Sequence, residues 1–182
     1  MATFFTADTH FGHANILRYC AGTRPFKDLN HMHEVLIANW NAKVGQADTV
    51  YHLGDFGFGP AVRLARKRLN GKIRLILGNH DKFGLEDAGI FESIDTLKLV
   101  DVDGQRIVLC HYAMRTWQFQ SKGAWQLYGH SHGNLPDDIV LNSCDVGVDC
   151  WNMAPVSMAQ LRAVMATKRP VPVDHHGRDD AD

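Results

Sequence analysis

Lys72-Ile73-Arg74-Leu75-Ile76-Leu77-Gly78-Asn79-His80-Asp81 is the stretch that decides the fold. Ile73, Leu75, Ile76 and Leu77 crowd residues 72–77, which read as a strand covered on both faces. Double coverage marks the parallel strands of layered α/β proteins. Gly78 then lets the chain turn sharply. Beyond it an amide, an imidazole and a carboxylate follow in succession. In open α/β sheets the crevice beyond the carboxyl ends of the strands is where sites form.

The same grammar recurs on either side. Residues 3–7 form a short strand that ends in Asp8-Thr9-His10, and residues 49–53 form one that ends in Gly54-Asp55. Residues 97–102 and 105–110 are two strands joined by Asp103-Gly104, a hairpin signal because both central residues take positive φ; the second ends in His111. Residues 125–128 run into Gly129-His130-Ser131-His132-Gly133, and residues 139–141 read as a further strand. Helices are expected over 30–44, where Met32, Val35, Leu36, Trp40 and Val44 recur at helical spacing, and over 60–69, opened by Pro60 and stopped by Gly71. One or two helical turns are expected within 13–20. A last helix opens at Ser157, with Gln160 completing a capping box. Strands alternate with helices early and a hairpin follows, so the expected fold is α/β with a sheet that is not purely parallel. Residues 1–167 read as one domain and 168–182 as a loose tail of Pro, Arg, Asp and His.

Composition bounds the function. The chain has 182 residues, 45% hydrophobic and 21% charged, enough to bury a core and unlike a disordered chain. Lys+Arg is 19 against Asp+Glu 20, a net charge of −1, which disfavours a basic nucleic-acid coat. No run approaches the length needed to span a bilayer, and residues 1–5 resemble no signal peptide, so a cytoplasmic protein without membrane contact is expected. Cys20, Cys110, Cys144 and Cys150 form no C-x-x-C pair and read as free thiols of a reducing compartment. The 11 histidines are the unusual number.

Seven residues at five strand ends are metal-capable: Asp8, His10, Asp55, Asn79, His111, His130 and His132. In extended chain, residues i and i+2 face one side, so Asp8 and His10 are expected to aim at one point, and His130 and His132 likewise. Mixed carboxylate, imidazole and amide ligands suit Mn²⁺, Fe²⁺, Co²⁺, Ni²⁺ or Zn²⁺ better than Mg²⁺ or Ca²⁺. Seven ligands are too many for one ion and about right for two ions sharing a carboxylate, typically about 3.5–4 Å apart.

Asp8-x-His10, Gly54-Asp55, Gly78-Asn79-His80-Asp81, an isolated His111 and Gly129-His130-x-His132 stand in an order that resembles the calcineurin-like metallophosphoesterase superfamily, in particular its small single-domain bacterial or phage-type members. The resemblance spans residues 8 to 133. It implies a sandwich of two mixed β-sheets flanked by helices. It implies that Asp8, His10 and His132 bind a first metal, that Asn79, His111 and His130 bind a second, and that Asp55 bridges them. His80 would protonate the leaving oxygen while Asp81 orients it, and a metal-bridging hydroxide would attack phosphorus. The expected cofactors are two divalent ions, Mn²⁺ first, with Fe, Zn, Ni or Co as alternatives. The expected activity is phosphodiester hydrolysis of a small phosphoester, such as a nucleotide or cyclic nucleotide. A phosphomonoesterase, a nuclease and a non-catalytic scaffold of the same fold are the alternatives.

Other residues read more plainly. His13, just past the first motif, is a candidate substrate contact or a local hydrogen-bonding group, and Arg115, four residues beyond His111, a candidate for holding substrate. Arg18 and Arg24 are weaker versions of the same idea. His52 reads as a hydrogen-bonded core residue, and His31 and His33 as a solvated helix face. Arg63, Arg66, Lys67 and Arg68 read as the outer face of their helix.

Overall fold

The computed structural model describes residues 1–82 and 89–171. Two sheets face each other. The first has the order β4-β3-β2-β1-β9, built from β1 (Thr3–Thr6), β2 (Thr49–His52), β3 (Lys72–Ile76), β4 (Ser93–Asp95) and β9 (Val156–Ser157). β1 to β4 pair in parallel and β9 runs antiparallel beside β1. The second has the order β5-β6-β7-β8, from β5 (Leu97–Val102), β6 (Gln105–Cys110), β7 (Trp125–Tyr128) and β8 (Ser143–Asp145). β6, β7 and β8 are parallel, and β5 closes an antiparallel hairpin on β6. Both sheets are therefore mixed.

Alternation along the strands builds two cores. Phe4, Val50, Ile73 and Leu75 point to the outer face of the first sheet, where they meet Met32, Leu36, Ile37 and Trp40 of α2 (Leu29–Lys43) and Val62 and Ala65 of α3 (Pro60–Arg68). Phe5, Tyr51 and Ile76 point inward, against Ile107, Leu109, Trp125 and Leu127 of the second sheet. Apolar residues lie on both faces at the end of β3, where Leu75 faces out and Ile76 faces in, so the run 75–77 carries no polar alternation. Met158, Leu161 and Met165 of α4 (Met158–Met165) plug the same inter-sheet core. The outer face of the second sheet is covered by a loop, through Trp117 and Ala124 over Val108.

Local signals act as expected in most places. Asp103 and Gly104 have φ of 51° and 77° and close the β5–β6 hairpin. Ser157 and Gln160 form both bonds of a capping box. Asp28 caps α2 by accepting from the His31 N–H, and the short α1 (Ile16–Tyr19) occupies part of 13–20. Three short strands escaped the pattern. β4, β8 and β9 have two or three residues each, too few to show a period. The strand expected at 139–141 lies instead at Ser143–Asp145. The start of the expected tail is not loose: Lys168 is buried against Asp137 and the Asp138 carbonyl, and the N–H groups of Arg169 and Val171 donate to the carbonyls of Ile139 and Val140. The rest of that tail, 172–182, lies outside the described residues. No helix among the described residues is long and apolar enough to cross a membrane.

His52 is buried at the end of β2, where its Nε2 meets Thr9 Oγ1 at 3.0 Å and Thr9 in turn donates to the Phe56 carbonyl. Burial, with His111 nearby, lowers the His52 pKa to about 3. The unfolded chain takes up this proton below about pH 6.5, so the stability His52 contributes is full above that pH and is lost as pH falls toward 3. Between pH 7 and pH 5 the loss is about 2 kcal/mol. Denaturant unfolding of the chelated protein at both pH values, beside His52→Gln, measures it; an equal pH dependence in the two proteins would contradict the assignment.

Candidate metal centre

Six of the parallel strands, all but β4, deliver their carboxyl ends to one place. β1 leads into Asp8 and His10, β2 into Asp55, β3 into Asn79 and His80, β6 into His111, β7 into His130 and His132, and β8 into Asp145 and Asp149. Among the described residues, ligand-capable atoms lie within 4.8 Å of one another in three sets: Asp8, His10 and His132 form one group, Asp55, His111 and His130 a second, and Cys20 and Asp149 make a third around the same His132. Asp55 Oδ2 stands 3.6 Å from His10 Nε2 and 3.6 Å from His111 Nε2, between the two groups. Asn79 Oδ1 lies 3.1 Å from His111 Nε2 and 3.1 Å from His130 Nδ1.

Asp8 and His10 converge on one group as expected, but through left-handed rather than extended backbone. Asp8, His10, Asp55, His130 and His132 all have left-handed backbone, with φ of 60°, 50°, 56°, 67° and 49°. Each costs on the order of 1–3 kcal/mol for a residue that is not glycine, and clusters of such residues mark functional sites. His130 and His132 part, one to each group, rather than aiming together.

Backbone bonds hold the strained loops. The Asp8 and His10 N–H groups donate to the Gly54 and Asp55 carbonyls at 2.9 Å each. Asp81 binds backbone rather than the His80 ring it was expected to orient: Oδ2 accepts from Asp55 N at 2.7 Å and Gly78 N at 2.8 Å, and Oδ1 from Phe56 N at 2.9 Å. A buried acid satisfied by N–H groups from two loops is a staple between them. The His80 N–H donates to Asp55 Oδ1 at 2.9 Å, which leaves Oδ2 for the two histidines. Glycine is obligatory at 78, where a Cβ would collide with Asp55 Oδ1 and stand 2.9 Å from His111 Cε1.

The donor set fits divalent cations. His111 Nδ1 donates to the Leu53 carbonyl at 2.7 Å, so the Nε2 lone pair faces Asn79 Oδ1 and Asp55 Oδ2, acceptors both. His10 Nε2 is buried and finds no hydrogen-bond partner among the described residues. Burial, with the charges of Asp145, Asp55 and Asp149, raises the Asp8 pKa well above the carboxylate range, and burial with Arg24 and His132 nearby lowers that of His10 to about 2. Carboxylates crowded against neutral imidazoles are a charge arrangement that a cation relieves.

The remaining candidates have other first contacts. His13 Nδ1 lies 3.3 Å from His10 Nδ1, and its ring packs on Phe58 and His80. His80 is exposed on the rim, its ring 5.7 Å from that of His10. Arg115 is exposed on the loop beyond His111. His33 departs from the solvated face expected of it: its Nε2 accepts from Gly12 N–H and anchors the first ligand loop. Arg66 likewise donates to the carbonyls of Ile90, Leu69 and Gly71.

Sequence reasoning missed Asp145, Asp149 and Tyr112. Asp149 Oδ2 takes His132 Nδ1 at 2.8 Å. Burial would push the Asp149 carboxyl up, but hydrogen bonds from His132, Arg24 and Thr23 outweigh it and hold the group below the usual range. Tyr112 stands over the second group, its ring 4.8 Å from that of His130. The acids at the end of β8 were legible only by extending the strand-end rule to a strand too short to see.

Residues 1–143 match the calcineurin-like phosphoesterase superfamily domain. The chain belongs to that superfamily. An uncharacterised protein of Methanocaldococcus jannaschii is 34% identical over 164 residues, 85% of this chain and 86% of that protein. The gene 66 protein of Mycobacterium phage D29 is 28% identical over 182 residues, 82% of this chain and 88% of its own. A crystal structure of a protein of unknown function from Aquifex aeolicus matches with a TM-score of 0.75 at 26% identity, covering 90% of this chain and 98% of that one. Membership in this metal-dependent superfamily makes the chain a hydrolase of phosphoester bonds.

The cradle around Asp55 yields a direct test. Gly78→Ala should displace Asp55 and His111 and cut Mn²⁺ uptake sharply while the circular dichroism spectrum is kept. Gly22→Ala, with open space at its Cβ, should bind as the parent does. Parental Mn²⁺ stoichiometry and affinity in Gly78→Ala would refute the cradle.

Proposed function

We propose that the chain is a two-metal phosphodiesterase in which His80 protonates the leaving group. The observation that carries this reading is Asp55 Oδ2, equidistant from a histidine of each ligand group. Asp8, His10 and His132 would hold one ion, Asn79, His111 and His130 the other, with Asp55 shared. When bound, such ions neutralise phosphate oxygens and acidify water. The mixed nitrogen and oxygen donors favour Mn²⁺, with Fe, Zn, Ni or Co as competitors.

The chain's own groups supply the rest. His80 lies exposed at the rim, its backbone N–H donating to Asp55 Oδ1 and its imidazole in no hydrogen bond to the described residues, available to donate a proton to a departing alkoxide. Asp81 acts at one remove, by holding the loops that carry Asp55 and Asn79. Phe58, 5.5 Å from the His80 ring, flanks one ligand group, and Tyr112 flanks the other. An aromatic face beside each group gives a surface to each of the two substituents of a diester. Arg24 is engaged by Asp149 and so is not offered to substrate. Small diesters with aromatic or nucleoside substituents, cyclic nucleotides among them, are the substrate class that this rim supports.

The chelated protein reloaded with Mn²⁺ should hydrolyse bis(p-nitrophenyl) phosphate faster than p-nitrophenyl phosphate, and Asp55→Asn should lose most of that rate. His80→Ala should lose roughly 10²–10⁴-fold on a diester with a poor leaving group and much less on the aryl diester. A monoester preference would overturn the diesterase reading, and an undiminished His80→Ala rate on the poor leaving group would remove His80 from the mechanism. Asp81→Asn should lower both thermal stability and Mn²⁺ affinity, while the limb of the pH–rate profile that depends on His80 stays where it is. A displaced limb with unchanged stability would instead make Asp81 the partner of the His80 ring.

A further inference from the structure

Arg24 is a large charged side chain that is almost wholly enclosed, with 1% of its surface exposed. The phosphoesterase reading gives it no task. Its Nε donates to Asp149 Oδ1 at 2.9 Å and its Nη2 to Asp149 Oδ2 at 2.6 Å, a fork on both carboxylate oxygens. The same Nη2 donates to the backbone carbonyl of Asp8 at 2.6 Å, and Nη1 rests on Met32 Sδ at 3.6 Å. Thr23 Oγ1 donates to Asp149 Oδ1 at 2.5 Å. Asp149 Oδ2 also faces His132 Nδ1 at 2.8 Å.

One guanidinium thus ties the backbone of Asp8, from the first sheet, to the imidazole of His132, from the second. Both are residues of the same ligand group, and both have left-handed backbone. A strained conformation persists only where its surroundings over-determine it, and the planar fork of arginine is suited to fix a carboxylate in plane. The carboxylate in turn holds the proton on His132 Nδ1 and leaves Nε2 as the ligand atom. His111, in the other group, is oriented differently, by the Leu53 carbonyl. The His132 and His111 rings are therefore oriented by separate supports, although the Asp8 carboxylate also accepts the His130 N–H across the groups.

We infer that Arg24 and Asp149 are positioning residues for one ion position alone, that of Asp8, His10 and His132, and that they set its affinity independently of the other. This rests on the two-ion reading above. The affected position should lose about 10- to 100-fold in metal affinity when its support is removed.

The test is Mn²⁺ titration of chelated protein by calorimetry, for the parent, Arg24→Lys and Asp149→Asn, with thermal melts of each. The parent should take up two ions. Each variant should keep one with parental affinity and bind the other about 10- to 100-fold more weakly. Activity at limiting Mn²⁺ should fall with it and return as Mn²⁺ is raised. Parental affinity for both ions in both variants would overturn the proposal. So would an equal weakening of both ions, which would mark a general structural role. Should Arg24→Lys fail to fold, the near-isosteric Asp149→Asn carries the comparison. If the parent itself takes up fewer than two ions, the two-ion reading fails. The ¹⁵N shifts of His132 in metal-free protein then decide this inference separately. The Nδ1–H tautomer in the parent, lost in Asp149→Leu, supports it, and an unchanged tautomer in that variant overturns it.

Discussion

One oxygen of Asp55 organises the site. Oδ2 lies at the same distance from His10, which follows β1 of the first sheet, and from His111, which follows β6 of the second. For a single carboxylate to meet imidazoles from both sheets, the strands must stop at one level and the loops must approach backbone to backbone. The missing side chains of Gly54 and Gly78 permit that approach, since a Cβ at 54 would stand 2.6 Å from the Gly78 nitrogen and 2.6 Å from His111 Nδ1. The inter-sheet core below, from Phe5 and Tyr51 to Ile107 and Leu127, sets the separation that the carboxylate spans.

The loops above that core are held against their own conformational preference. Five ligands in the left-handed region would individually relax toward ordinary backbone, and the structure counters this with directed hydrogen bonds rather than packing. Asp81 binds three N–H groups from the Asp55 and Asn79 loops, Gly54 and Asp55 carbonyls receive the first ligand loop, and His33 takes the Gly12 N–H. Hydrogen bonds to a charged carboxylate contribute about 1.5–3 kcal/mol each, comparable with the strain at each ligand. Rigid ligands placed in advance need little reorganisation when a cation arrives.

What the sequence disclosed and what it hid follow from range. The parallel strands were legible because Ile73, Leu75 and Ile76 fill two cores at once, and the hairpin because Asp103-Gly104 is a local device. The ligand types were legible because they recur at strand ends. The backbone that aims them was not. Alternation would put His130 and His132 on one face, whereas they part, one to each group. Asp81 was read through its neighbour His80, but its partners Asp55 and Phe56 lie 26 and 25 residues away. Arg24 was read as a weak substrate contact, and nothing local connects it with Asp149, 125 residues on. β8 and its acids were too short a run to show a period, so the residues that orient His132 had no signature in the chain.

Burial divides the site into an enclosed floor and an exposed rim. Asp8, His10, Asp55 and His111 are almost wholly enclosed, whereas Asn79, His80 and His130 are exposed. The enclosed set lies where the two sheets meet, in surroundings of low polarity that strengthen any interaction with a cation. The exposed set lies on the loops, open to solvent. A histidine buried as deeply as His10, with its pKa lowered to about 2, is a poor proton donor at neutral pH but a good neutral ligand. His80 and His130, by contrast, stand open to solvent on the rim. The same side-chain type thus occurs at two depths within a single strand-end constellation, a difference that no spacing in the chain records.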